Sequence, residues 1–135
     1  MMIIDGDGAI LGRLASKVSK ELLRGQQIVV INAEKIIVSG NPKAIIKRFM
    51  EKREKGSHHK GPFYPRYPDR IFRRVVRGML PYKRDRGRKA YKRLKVYIGN
   101  PDNLKGEKLG KNVDDLRSKY ITLKDLSKKL GAKIG

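Results

Sequence analysis

Asp5 and Asp7 follow an apolar run in IIDGDGAILGRLAS (residues 3–16), and Gly6, Gly8 and Gly12 are interleaved with them. Two carboxylates at a strand end can hold a divalent cation, and glycines ahead of a helix let backbone approach a pyrophosphate. Each chemistry needs a spacing that this stretch lacks. The dinucleotide fingerprint is G-x-G-x-x-G, whereas three residues separate Gly8 from Gly12. The acid wanted about 20 residues further on is poorly supplied, because VVINAE offers Asn32 first and Glu34 only past the strand end. As a calcium loop the stretch places Ala9 where a third ligand should stand, with no acid at the twelfth position. A tight structural turn is the plainest reading. A turn touching nucleic-acid phosphate, and a nucleotide or metal site, stay open beside it.

Other catalytic chemistry has little to stand on. The chain has no cysteine, which excludes disulfides, thiolate zinc sites and a thiol nucleophile. His58 and His59 are adjacent, an arrangement that rarely ligates one metal, and no carboxylate cluster completes a site around them. In a loop with Lys60 and Tyr64 they suit stacking on bases or contact with phosphate; two exposed loop histidines are the bland alternative. No G-x-S-x-G, H-E-x-x-H or Walker loop is present, so no cofactor and no small-molecule substrate are expected. The enzyme reading that survives is a metal-dependent nucleic-acid enzyme using Asp5 and Asp7. It requires metal-dependent turnover that alanine at both positions abolishes.

Basic residues are placed with more pattern. Arg70, Arg73, Arg74 and Arg77 recur at helical spacing beside Arg66, and Asp69 is their one near acidic neighbour. A solvated charged face is the bland reading. Arginine throughout points instead to bidentate phosphate contact. Residues 83–95, KRDRGRKAYKRLK, add Lys83, Arg84, Arg86, Arg88, Lys89, Lys92 and Arg93 around one acid, Asp85, with Tyr82 and Tyr91 interleaved. Gly87 stands where backbone could come close to a phosphate chain. Such a single-sign patch supplies affinity for nucleic acid and makes it salt-dependent. A membrane-surface helix has a similar profile, and would require comparable affinity for anionic vesicles. No lipidation signal supports it, and no membrane partner is expected.

The elements that must carry these residues are legible in outline. At 135 residues the chain is most simply one domain, 1–135, with enough length for one core. Its net charge is +21, and it is uneven. Residues 1–42 hold five basic and four acidic residues (net +1), residues 43–97 twenty and four (net +16), and residues 98–135 nine and five (net +4). The first third reads as a fold nucleus, and the middle as the place for a polyanion. MIID reads as a buried strand, and apolar spacing from Ile10 to Leu22 as a helix stopped at Gly25. QIVVINA and KIIVSG read as strands, and Asn41-Pro42 opens a helix to about Lys55 with Ala44, Ile45, Ile46, Phe49 and Met50 inward. Residues 56–68 read as a loop. DRIFRRVVRGML then returns to helical spacing, with Ile71, Phe72, Val75, Val76, Met79 and Leu80 inward. A short basic helix, a strand in KVYIG and a helix opened by Thr122 and Asp125 complete the chain. Alternating strands and helices argue for an α/β fold with a mostly parallel sheet and helices on both faces. No secretory signal or membrane-spanning run is seen, so a cytoplasmic protein is expected.

The middle segment also carries a resemblance. RYPDRIFRRVVRGMLPYKRDRGRKAYKRLKVYIGNP, residues 66–101, resembles the L-thirteen family of large-subunit ribosomal proteins, most specifically in VRGMLP (76–81) and RLKVYIG (93–99). It extends back through residues 5–41, with INAEKI followed by SGN, and is weak after about Pro101. GNP at 99–101 and the absence of a long C-terminal extension make it similar to the archaeal type. The resemblance implies a three-layer α/β/α fold around a four-stranded parallel sheet. It implies a structural and assembly role in the large subunit of the cytoplasmic ribosome, with large-subunit ribosomal RNA and neighbouring ribosomal proteins as partners and no catalysis. The glycine-rich opening then belongs to the architecture rather than to a nucleotide site.

Overall fold

The computed structural model describes residues 1–54, 65–109 and 118–133. Strand β1 (Met2–Asp5), helix α1 (Leu11–Leu23) and strand β2 (Ile28–Ile31) form the first unit, with Met2 opposite Ile28 in a parallel pair. Leu11, Leu14, Ala15, Val18 and Leu22 return every three or four positions along α1, and all are buried. The helix stops at Gly25, whose φ of +97° costs glycine little. β2 lies between β1 and β4 (Leu94–Val96), parallel to both, and all four of its residues are buried. Covered on both faces, IVVI is apolar without alternation.

The fold is α/β with a parallel sheet, as expected, but that sheet has three strands rather than four. KIIVSG supplies β3 (Ile37–Ser39), which pairs antiparallel with β5 (Tyr120–Thr122), Val38 opposite Ile121. Chain length is the reason. Between Ile31 and Ile37 there is room for a left-handed Asn32 and a 3₁₀ turn at Ala33–Lys35, whereas a parallel crossover takes roughly a dozen residues. The place beside β1 is held by one bridging residue: Asp5 N donates to Glu107 O at 2.9 Å, and Glu107 N donates to Ile3 O at 2.9 Å.

Helix α2 (Pro42–Glu54) opens as read, with the Asn41 side chain accepting from Lys43 N at 2.9 Å. It meets the core along one line, through Ile45 and Phe49. Ala44 and Met50, expected inside, are exposed, and Ile46 is half-buried. Helix α3 (Pro68–Met79) has proline at its first position and buries Ile71, Phe72 and Val76 against α1 and β4, whereas Val75 is half-buried and Met79 exposed. Helix α4 (Asp85–Lys92) leads directly into β4, which starts one residue earlier than KVYIG suggested. Helix α5 (Leu123–Lys129) is capped as read, Thr122 Oγ1 accepting from Asp125 N at 3.2 Å. One buried cluster joins residues of all five helices to β1, β2, β4 and β5. Among the described residues no helix is long and apolar enough to cross a membrane.

Candidate nucleic-acid interface

The glycine-rich opening is a structural turn. Asp5 Oδ1 accepts from Asp7 N and from Asn32 Nδ2, each at 3.0 Å. Gly6 is pressed against β2 and the following turn, because a Cβ there would lie 2.8 Å from Ile36 Cγ1 and 3.0 Å from Ile31 O. Gly8 holds a φ of +76° and donates to Lys35 O. Gly12, the third glycine of the apparent fingerprint, would meet nothing within 4 Å. Glu34, the late candidate for a ribose partner, accepts from Gly99 N at 3.1 Å. These groups are engaged in joining β1, β2 and the β4 exit. Among the described residues no group of three or more His, Asp or Glu is placed to hold a metal ion.

The arginines of α3 are brought together as their spacing requires. Arg70, Arg73, Arg74 and Arg77, with Pro65 and Tyr91, line a cleft of about 360 Å³. Tyr91 comes from α4, so two helices build it. The Arg73 guanidinium lies 4.8 Å from the centroid of the Tyr91 ring, and the Arg77 guanidinium 4.1 Å from that of Tyr82. The two tyrosines meet edge to face, 5.6 Å apart at 84°. Cation–π contact and an edge-on ring pair are each favourable, and together they tie α3 to the turn before α4.

That turn is made by the chain pressing on itself. Tyr82 N donates to Leu80 O and Arg84 N to Pro81 O. Gly87 is buried, and a Cβ on it would lie 2.0 Å from Pro81 O. The close approach that Gly87 permits is therefore to its own backbone, not to a phosphate chain, which corrects the expectation from sequence. Arg88 also serves the turn, donating to Lys83 O at 2.9 Å and pairing with Asp85. Arg93 faces inward: its Nη2 donates to Leu22 O at 2.8 Å, closing the C-terminal end of α1. Lys83, Arg84, Arg86, Lys89 and Lys92 are exposed on α4 and its approach. Arg66 is exposed too, 5.8 Å from the Tyr67 ring. His58, His59, Lys60 and Tyr64 lie outside the described residues.

The sequence reading passed over Lys95. It is exposed on β4 between buried Leu94 and Val96, and with Lys92, Arg93, Gln27 and Tyr97 it lines a second cleft of about 370 Å³. The two-residue period of RLKVYIG was the signal that turns Lys95 outward.

Comparison with known proteins shows the family. The family model for ribosomal protein L13 matches residues 1–103, ending close to where the motif resemblance weakens. A large ribosomal subunit protein uL13 of Methanocaldococcus jannaschii is 53% identical over 138 residues, covering 98% of this chain and 99% of that protein. The uL13 of Archaeoglobus fulgidus is 49% identical, covering 96% and 86%, and that of Methanosarcina barkeri is 50% identical, covering 98% and 99%. These relatives are archaeal, like the type that the GNP motif suggested. The chain therefore belongs to the ribosomal protein L13 family, a structural and non-enzymatic constituent of the large subunit of the cytoplasmic ribosome.

Proposed function

We propose that this chain, acting as one domain, binds and clamps large-subunit ribosomal RNA through the α3–α4 surface and supports assembly of the subunit beside neighbouring ribosomal proteins. The observation that carries this reading is the convergence of Arg70, Arg73, Arg74 and Arg77 on one cleft to which α4 contributes Tyr91; Lys83, Arg84, Arg86, Lys89 and Lys92 are exposed on α4 and its approach. Guanidiniums crowded in one place repel each other, and phosphates between them reverse the sign of that energy. Arg66 extends the surface. Arg88 and Arg93 belong to the same patch, but their bonds to the chain's own carbonyls leave them the smaller share of contact. His58, His59, Lys60 and Tyr64 precede α3 in sequence and are proposed as a secondary contact.

The test is filter binding of in vitro transcribed large-subunit ribosomal RNA over a salt series. Replacing Arg84, Arg86 and Lys89 together by alanine should weaken binding and flatten the dependence of log K on log salt by about 2–3, given roughly 0.7–0.9 per phosphate contact. Arg93→Ala is the contrast, since it should lower folding stability and change the slope least. A triple variant with the wild-type slope would remove α4 from the interface.

A further inference from the structure

The arginine cleft of α3 and α4 presents its cations in an unusual way, and this bears on what it holds. Resting on the RNA-binding reading, we infer that Tyr82 and Tyr91 are positioning residues. They orient Arg77 and Arg73 toward the phosphodiester backbone of the RNA, and are not platforms for its bases.

A tyrosine in a basic surface is ordinarily a place for a base to stack. Here each ring already faces a guanidinium, Tyr91 beneath Arg73 and Tyr82 beneath Arg77, and the two rings are set edge to face against each other. Both tyrosines are half-buried, and so are the two arginines. Stacking occupies the flat face of a guanidinium and leaves its rim of N–H donors directed outward in the plane, the geometry that suits a phosphate. Arginine on a free surface must lose rotamer freedom when it binds. One held on a ring has lost part of it beforehand.

The lining of the cleft points the same way. Four of its six residues are arginines, which donate and never accept; Pro65 offers an apolar surface, and the Tyr91 hydroxyl is the one acceptor-capable side chain. Such a lining favours a ligand that presents acceptors in several directions. Arg73 Nε is buried and has no hydrogen-bond partner among the described residues, so any ligand in the cleft is met by the outer Nη donors of the group. Charge alone is then an incomplete account of the site: lysine in place of Arg73 keeps the charge but has neither the plane that stacks nor the fork that binds.

The experiment is a double-mutant cycle on the full chain, with in vitro transcribed large-subunit ribosomal RNA as the probe. Tyr91→Phe keeps a ring under Arg73 and should bind as wild type. Tyr91→Leu and Arg73→Lys should each weaken binding about three- to tenfold, the range of a cation–π contact. Together they should bind no worse than either alone, because both remove one stacked unit. The salt slope should stay near wild type in Tyr91→Leu and fall by about one phosphate contact, roughly 0.7–0.9, in Arg73→Ala. Additive losses would mean that Tyr91 touches the RNA itself, and would overturn the positioning role. So would wild-type binding by Tyr91→Leu. Should Tyr91→Leu fail to fold, equal binding by Arg73→Lys and wild type overturns the proposal on its own. Arg73→Ala and Arg77→Ala with unchanged affinity and slope would instead sink the RNA reading for this cleft.

Discussion

Gly87 carries more consequence than its size suggests. It lies in a basic helix, and its missing side chain lets the backbone of Pro81 and Tyr82 fold back within contact of α4. That contact fixes where Tyr82 stands, and Tyr82 carries Arg77. Gly87→Ala should therefore lower stability by about 1–3 kcal/mol through overpacking, read as a lower urea midpoint. Gly12→Ala is the matched control, because its Cβ meets nothing and alanine suits a helix better; stability should hold or rise by up to about 1 kcal/mol. Equal midpoints for the two variants would show that α4 tolerates displacement from the turn. Charged residues divide in the same manner. Arg93 and Arg88 have the same formal charge as Arg84 and Arg86, yet their guanidiniums are bonded to backbone carbonyls of their own chain.

Elements differ in how much of their stability is local. Helix α5 has seven residues, too short to persist alone in water. It is held by burial of Leu123 and Leu126, by the Thr122 cap, and by the pairing of β5 with β3 immediately before it. Thr122→Ala should cost about 1 kcal/mol, and the faster amide exchange should be concentrated in α5 and β5. Uniform exchange across α1 and β2 as well would show that the cap acts on the whole fold. Helix α3 is the opposite case. Its buried face on α1 and β4 is formed by Ile71, Phe72 and Val76, and the arginines on its other side follow from the same 3.6-residue period. The periodicity that makes the helix thus also makes the cleft.

At the scale of the molecule, net charge governs behaviour away from any partner. A chain of 135 residues at +21 carries strong self-repulsion, concentrated by the twenty basic residues of 43–97. Salt screens exposed charges over about 10 Å at 0.1 M, so the isolated protein should melt higher in 0.5 M than in 0.05 M sodium chloride. RNA affinity should fall over the same range. Opposite responses of Tm and affinity, by calorimetry and filter binding, are the expected pattern. A Tm that falls with salt would mean that ion pairs such as Arg88–Asp85 outweigh the repulsion.

By itself, the sequence determined which residues are apolar at helical or strand spacing, and where the positive charge lies. From these follow α1, β2, α3, the α/β class, and the sharing of one face by Arg70, Arg73, Arg74 and Arg77. Local periodicity and turn chemistry act over a few residues, so they are written in order along the chain. Four matters were settled by packing between segments distant in sequence. β3 left the parallel sheet for β5, because the chain after β2 is too short to cross over. α2 buries only Ile45 and Phe49 fully in the core, with Ile46 packed at its margin, because burial depends on what lies opposite and not on the residue's own type. Arg93 turned inward to the end of α1, 71 residues away. Arg73 found Tyr91, because helix, turn and helix close on one another. No spacing along the chain encodes such a meeting; it arises when apolar faces bury and the polar groups beside them take the partners that geometry leaves within reach.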